Sequence, residues 1–291
     1  MDTRRVGRLV DHRYGKVGVR LLRLDRSRAP HQLFEATVDV SLEGDFGEAY
    51  AEGDNRRVVP TDTMKNTVHA LARERAFETA EGFARLLARH FVNRHGQVGQ
   101  ATVTISERPW SRHGDADAAF IASGEERRTA EVRLDVSGGT DVRSGVEGLL
   151  LLKSSDSGFS GFPRDPYTVL EDTDDRILST SLEARWDFSG LRVDGAAPDF
   201  ADVRRRVRRA LLDAFAGHTS RSVQHTLYWM GEAALGAAPE IERIVLRMPN
   251  RHYILADLGA FELDNPNVIF VPTDEPAGLI EGTVERARGC G

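Results

Sequence analysis

Cysteine is almost missing from this 291-residue chain. The single one, Cys290, excludes an intrachain disulfide framework and any multi-cysteine metal site. Lysine is nearly as scarce: Lys16, Lys65 and Lys153 are the only three among 39 basic residues. Where charge alone matters the chain uses arginine, so a surviving lysine points to a compact or titratable amine, a job a guanidinium cannot do. Positive charge is not in excess either. The net charge of −6 and a pI near 5.9 leave no sequence-wide basic footprint, which argues against a nucleic-acid partner. Long apolar runs are absent, the longest candidate, Leu149 to Leu152, being flanked by Glu147 and Lys153, so no membrane span is expected. The segment Met1-Asp2-Thr3-Arg4-Arg5 lacks an apolar h-region, so no secretory signal is expected and the cytoplasm is the expected location. Also missing are Gly-x-Gly-x-x-Gly, a phosphate-binding loop, His-Glu-x-x-His and a Gly-x-Ser-x-Gly nucleophile elbow. The nine histidines are scattered, and His90 with His95 lack a third ligand at metal spacing. An enzyme with this sequence is expected to work without a cofactor, on a substrate that is itself reactive.

The chain is long enough for two domains, each with its own core, and its 40% hydrophobic and 29% charged residues are those of a globular protein. Residues 9 to 24 alternate roughly, and Phe34, Ala36, Val38, Val40 and Leu42 keep period two, which predicts two long strands with Lys16 in the first. Met64, Val68 and Leu71 then lie on one face of a helix whose start, Thr61-Asp62-Thr63, has the residue types that cap an N-terminus, with Pro60 holding the entry extended. Such a start aims unpaired N–H groups at whatever precedes it, and suits an anionic or carbonyl-rich ligand. A longer helix follows, with Phe77, Ala80, Ala84, Leu87, Ala88 and Phe91 inward. Strands at Ala101 to Glu107 and Ala130 to Val136 close the first half, and Gly138-Gly139 marks the boundary between expected domains 1–138 and 139–291.

The second half repeats that order. Strands are expected at Val146 to Leu152 and Ile177 to Phe188, separated by a connection holding Phe159, Phe162 and Tyr167 that is too aromatic for a casual loop. A helix from Asp199 turns Phe200, Val203, Val207, Ala210, Leu211 and Ala214 inward and leaves an arginine run outside, read as a solvated or subunit-facing surface. The next helix starts at Ser220-Arg221-Ser222-Val223-Gln224, and strands at Ile241 to Met248, Tyr253 to Leu258 and Val268 to Val271 finish the chain. Two copies of one α+β layout predict antiparallel sheets with helices on one face.

Polar groups at element ends remain: Lys16, Thr61-Asp62, Phe159, Arg176, Ser222-Val223-Gln224 and Pro249-Asn250-Arg251-His252-Tyr253. Each has an ordinary reading by itself. Lys16 fits a solvated strand residue, Arg176 a salt-bridged one, Gln224 a first helical turn and His252 a satisfied histidine. Together they supply what a planar, polar heterocycle needs: an aromatic face, a guanidinium fork, a primary amide and backbone donors at a helix start.

Four separated runs carry a resemblance to a known family. Thr61-Asp62-Thr63-Met64-Lys65-Asn66-Thr67-Val68, Leu152-Lys153-Ser154 through Phe159-Ser160-Gly161-Phe162-Pro163-Arg164-Asp165, Asp175-Arg176-Ile177-Leu178-Ser179-Thr180 and Pro249-Asn250-Arg251-His252-Tyr253 closely resemble urate oxidase (uricase), in that family's order. Ser160 stands where some relatives carry a bulkier aromatic. The resemblance implies two tandem tunnelling-fold domains, a homotetramer whose barrels stack around a tunnel, active sites between subunits, and oxidation of urate by dioxygen without metal or flavin. It further implies that Phe159 stacks on urate while Arg176 and Gln224 grip opposite edges, assisted by the Val223 backbone beside Ser222. Thr61 and Asp62 would come from the neighbouring chain, Asn250 would hold dioxygen or water, and Lys16, Thr61 and His252 would relay protons. The end of the chain, Ala287-Arg288-Gly289-Cys290-Gly291, lacks a Ser-Lys-Leu peroxisomal address, as expected of a bacterial-type, cytoplasmic member. The other reading is a non-catalytic purine- or pterin-binding protein of the same fold. Loss of Lys16, Thr61 and His252 would favour it, and all three are present. Zinc-using relatives that process pterins or GTP need Cys and His ligands that this chain does not supply.

Overall fold

The structure is a computed structural model that describes residues 6–27, 29–122, 124–188, 191 and 196–287. Cys290, Met1 to Arg5 and the terminal Arg288 to Gly291 lie outside the described residues. The chain divides into two compact units: Met1–Ser144 with Phe188–Phe200, and Gly145–Asp187 with Ala201–Gly291. No helix among the described residues is long and apolar enough to cross a membrane.

In the first unit the order is β1 (Tyr14–Asp25), β2 (Gln32–Gly44), α1 (Gly47–Glu52), α2 (Thr61–Glu74), α3 (Ala80–Arg94), β3 (Val98–Arg108), β4 (Trp110–Arg112), β5 (Phe120–Ala122) and β6 (Arg127–Asp135). β1, β2, β3 and β6 are neighbours in that order, and each adjacent pair is antiparallel. Period-two alternation sends Ala36, Val38, Val40 and Leu42 of β2, and Ala101, Val103 and Ile105 of β3, into the core. On the other face Thr37, Asp39, Thr102 and Thr104 stay partly exposed. Helices α2 and α3 cover the apolar face through Met64, Val68, Phe83, Leu87 and Phe91.

The second unit follows the expected order: β7 (Thr140–Lys153, beginning in the first unit), β8 (Leu178–Phe188), α4 (Phe200–Gly217), α5 (Val223–Ala237), β9 (Ile241–Leu255) and β10 (Phe270–Glu285). β7, β8, β9 and β10 are neighbours in that order. The α5 helix lies tightly on β9 and β10, so tightly that a Cβ at Gly231 would sit 2.5 Å from Val284 Cγ2.

Three expectations need correction. The helix read as including Phe77 starts at Ala80, where Thr79 Oγ1 accepts from Gly82 N at 3.1 Å. Phe77 precedes the cap and stacks on Phe83 at 4.3 Å between centroids, a contact that aims the entering chain. The strands expected at Ile241 to Met248 and Tyr253 to Leu258 are one strand, β9, running through Pro249-Asn250-Arg251-His252. The break read into that run falls on its partner: Asn250 pairs with Gly278 and His252 with Thr273, so a bulge in β10 absorbs the irregularity. β10 itself extends to Glu285, far past the expected Val271.

Candidate active site

In the first unit the chemistry gathers around the start of α2. Lys16 stands near the beginning of β1, opposite Val40. Its two neighbouring glycines decide how it is held. A Cβ at Gly15 would lie 1.9 Å from the Val40 carbonyl oxygen, so only glycine lets β1 approach β2 there. Gly18, at φ +70°, sits in a bulge between Lys16 and Val19 and donates its N–H to Asp39 Oδ1 at 2.6 Å. The Tyr14 hydroxyl ties this strand to the entry of α2. It accepts from Val59 N at 2.7 Å and donates to Val59 O at 3.1 Å. Burial is the largest influence on that phenol and pushes its pKa above the ordinary tyrosine value.

The helix start differs from the capped end that Thr61-Asp62-Thr63 suggested. Pro60 occupies the cap position, no side chain caps the helix, and Thr61, Asp62 and Thr63 form its first turn. Asp62 is turned to other partners: Lys65 Nζ donates to its Oδ1 at 2.5 Å and Asn66 Nδ2 to its Oδ2 at 2.9 Å. The Lys65 hydrogen bond holds the carboxyl below the usual carboxylate range, helped by the Lys65 charge and the Asn66 bond, with a smaller pull from Lys16. What α2 offers outward is therefore its first-turn backbone donors and the exposed Thr61 hydroxyl.

In the second unit Phe159 and Arg176 stand together. The Arg176 guanidinium lies 5.2 Å from the centroid of the Phe159 ring, and Phe162 stacks on that ring at 4.9 Å and 13°. Phe159 is held by paired backbone bonds with Thr173, of 2.7 and 3.0 Å, and Arg176 N donates to Ser157 O at 2.7 Å. Burial pushes the Arg176 guanidinium below its ordinary pKa. Its Nε is buried without a hydrogen-bond partner, and no acidic side chain among the described residues pairs with it. A desolvated cation left in this state favours an incoming anion.

The α5 start lies beside this pair, because residues 156–158 bridge to Ser220. Ser222 is the cap, its Oγ accepting from His225 N at 3.1 Å. Val223 is buried as the first helical residue and Gln224 is exposed in the first turn. His225 and His218 pack edge-on at 4.4 Å between centroids, and Trp229 Nε1 donates to His225 Nε2 at 2.9 Å. Burial first, then His225 and Lys153, push the His218 pKa down. Asn250 and His252, two apart on β9, share a strand face and are partly exposed.

The ten expected positions thus fall into two sets. The first unit holds Lys16, Thr61 and Asp62. The second holds Phe159, Arg176, Ser222, Val223, Gln224, Asn250 and His252. Lys153, another scarce lysine, donates to the carbonyls of Ala216, at 3.2 Å, and His218, a task suited to a compact amine at a helix C-terminus. Sequence reasoning missed Tyr14, although it stands two residues from Lys16 and so on the same strand face. It also gave Ser220 no part beyond a hydroxyl-rich helix start, and gave Thr226 none.

Known proteins resemble the chain over most of its length. The uricase family profile matches residues 12–133 and 142–281. A uricase of Arthrobacter globiformis is 43% identical over 279 residues, covering 96% of this chain and 90% of that protein. One from Dictyostelium discoideum is 36% identical over 285 residues, covering 96% of this chain and 98% of its own. The crystal structure of the Arthrobacter globiformis uricase superposes with a TM-score of 0.91 at 41% identity, over 98% of this chain and 97% of that one. With its tandem tunnelling-fold layout and matches over nearly its whole length, the chain belongs to the uricase family.

Proposed function

We propose that this chain is a urate oxidase, converting urate, dioxygen and water to 5-hydroxyisourate and hydrogen peroxide. The observation that carries the reading is the half-buried Arg176 guanidinium, lying over the Phe159 ring with its Nε unsatisfied. That arrangement is built for a flat anion. Urate stacks on Phe159, Arg176 and the Gln224 amide hold opposite edges, and the Val223 backbone at the Ser222-capped helix start assists. Urate deprotonated to a dianion is electron-rich enough to reduce dioxygen directly, losing two electrons as oxygen becomes peroxide. The protein then has to stabilise the anion, place the oxygen and move protons, with no metal or flavin in the route. Asn250 holds dioxygen or water above the ring, and Lys16, Thr61 and His252 relay protons.

The two residue sets complete each other across a subunit boundary in this reading. Thr61 and Asp62 of a neighbouring copy present backbone and hydroxyl donors to the five-membered ring. The assembly is a homotetramer of stacked barrels, each chain contributing two domains that meet at Gly138-Gly139. The setting is cytoplasmic, with neither nucleic acid nor membrane as partner. The test is loss of urate absorbance with stoichiometric oxygen uptake and peroxide release. Urate binding without oxygen uptake would identify a binding protein and overturn the reading. Mixing Thr61→Ala with Arg176→Ala protein, under conditions of subunit exchange, should restore part of the activity if sites are shared.

A further inference from the structure

The loop that carries Phe159 and the helix that carries Gln224 are distant in sequence, and the structure shows what joins them. Ser220 N donates to Asp156 O and Gly158 N to Ser220 O, both at 2.8 Å, a parallel bridge linking the loop to the approach of α5. A Cβ at Gly158 would meet the carbonyl oxygens of Thr173 and Asp174 at 3.0 and 3.1 Å, so the loop is also wedged from its other side. Beneath the bridge runs a short chain of hydroxyls. Thr226 Oγ1 donates to Ser220 Oγ at 2.8 Å, and Ser220 Oγ donates to Ser222 O at 3.1 Å.

Serine ahead of a helix usually serves as its cap, but here Ser222 already does that, and Ser220 bonds no helix N–H group. Ser220 is only 2% exposed and Thr226 1%, positions where an alanine or valine could pack. A buried, mutually satisfied hydroxyl pair specifies one geometry where apolar contact would tolerate sliding. The geometry specified is the offset between the Phe159 ring and the first turn of α5.

We propose that Ser220 and Thr226 are positioning residues. Their hydroxyl pair locks the Phe159 loop to the Val223-Gln224 turn and so sets the slot into which the flat substrate fits. This inference rests on the urate oxidase reading above. Neither side chain needs to touch the substrate, and the reaction chemistry stays with the groups already named. Weakening the lock should therefore loosen substrate binding and leave the proton transfers alone.

Thr226→Val, Ser220→Ala and Thr226→Ser would be compared for KM, kcat, the pH–rate profile and anaerobic urate binding. The expected result is a rise in KM and in the anaerobic Kd of about 5- to 10-fold for Thr226→Val and Ser220→Ala, the size of one buried hydrogen bond. Under the same conditions kcat should stay within about twofold and the pH profile should keep its shape. Thr226→Ser keeps the donor and should bring KM back to within about twofold of the parent. The proposal falls if both deletions leave KM unchanged, or if Thr226→Ser is as impaired as Thr226→Val. It also falls if kcat drops in step with thermal stability while KM holds. If Thr226→Val does not fold, Ser220→Ala, which removes one oxygen atom, carries the same reading. A parent protein that consumes no oxygen with urate would overturn the functional reading and this inference with it, whereas an active parent with unaffected variants overturns the inference alone.

Discussion

Replacing Arg176 by glutamine should separate substrate binding from stability in a way an ordinary buried arginine would not. In the free protein this guanidinium is half-buried, its Nε lacks a partner and no acidic side chain among the described residues compensates it. Its contacts are the Phe159 ring, 5.2 Å away, and the backbone bond from its N–H to Ser157 O, which glutamine keeps. In the proposed urate complex it would gain an anion. Charge-assisted hydrogen bonds contribute about 1.5–3 kcal/mol, and about 1.4 kcal/mol is a factor of ten in an equilibrium constant. KM for urate should therefore rise about 10- to 150-fold, with a similar rise in the anaerobic Kd. The melting temperature without urate should hold or increase, since a desolvated charge with no acidic partner has been removed. Arg176→Lys restores the charge without the planar fork and should recover only part of the affinity. Steady-state kinetics with oxygen uptake, anaerobic titration and thermal unfolding of the free protein together read the outcome. An unchanged KM, or a KM rise accompanied by a large loss of stability without urate, would refute the assignment of Arg176 as an anion contact.

Lys16→Met should change the shape of the pH–rate profile and lower kcat more than it raises KM; an unaltered profile would remove Lys16 from the relay. Tyr14→Phe leaves both polar groups of Val59 without their clamp and should lower unfolding free energy by about 1 kcal/mol in urea titrations. It should also depress kcat by loosening the seating of Lys16 against the α2 start, and unchanged kcat would make the clamp structural only. His218 has a folded-state pKa below its ordinary value of about 6.5, so the fold favours the neutral ring. Its contribution to stability is whole above that value and is lost as pH falls through the folded-state pKa. His218→Asn should accordingly flatten the decline in denaturant stability as pH falls below about 6.5, and an identical decline in both proteins would show that His218 does not drive it.

Period two in Phe34 to Leu42 and period three to four from Met64 to Leu71 were legible because burial repeats within each element. The same local signals yielded the strand, strand, helix, helix, strand, strand order in both halves. Misreadings arose where the deciding partner was remote. Pro249-Asn250 looks like a break, yet β9 runs through it because the bulge lies in β10, a strand apart. Thr61-Asp62-Thr63 looks like a cap, yet Asp62 turns to Lys65 and Asn66 and the helix start stays open.

Residue chemistry alone therefore determined the α+β layout, the family resemblance and the set of side chains fit for a flat anion, since all of these are written in local composition and spacing. Tertiary structure decided how they are held: that Tyr14 reaches across 45 residues to Val59, that Arg176 is left without an acidic partner among the described residues, and that Ser220 and Thr226 join the Phe159 loop to α5. Hydrogen-bond partners and desolvation depend on where the folded chain brings distant segments, and periodicity along the sequence carries no record of that.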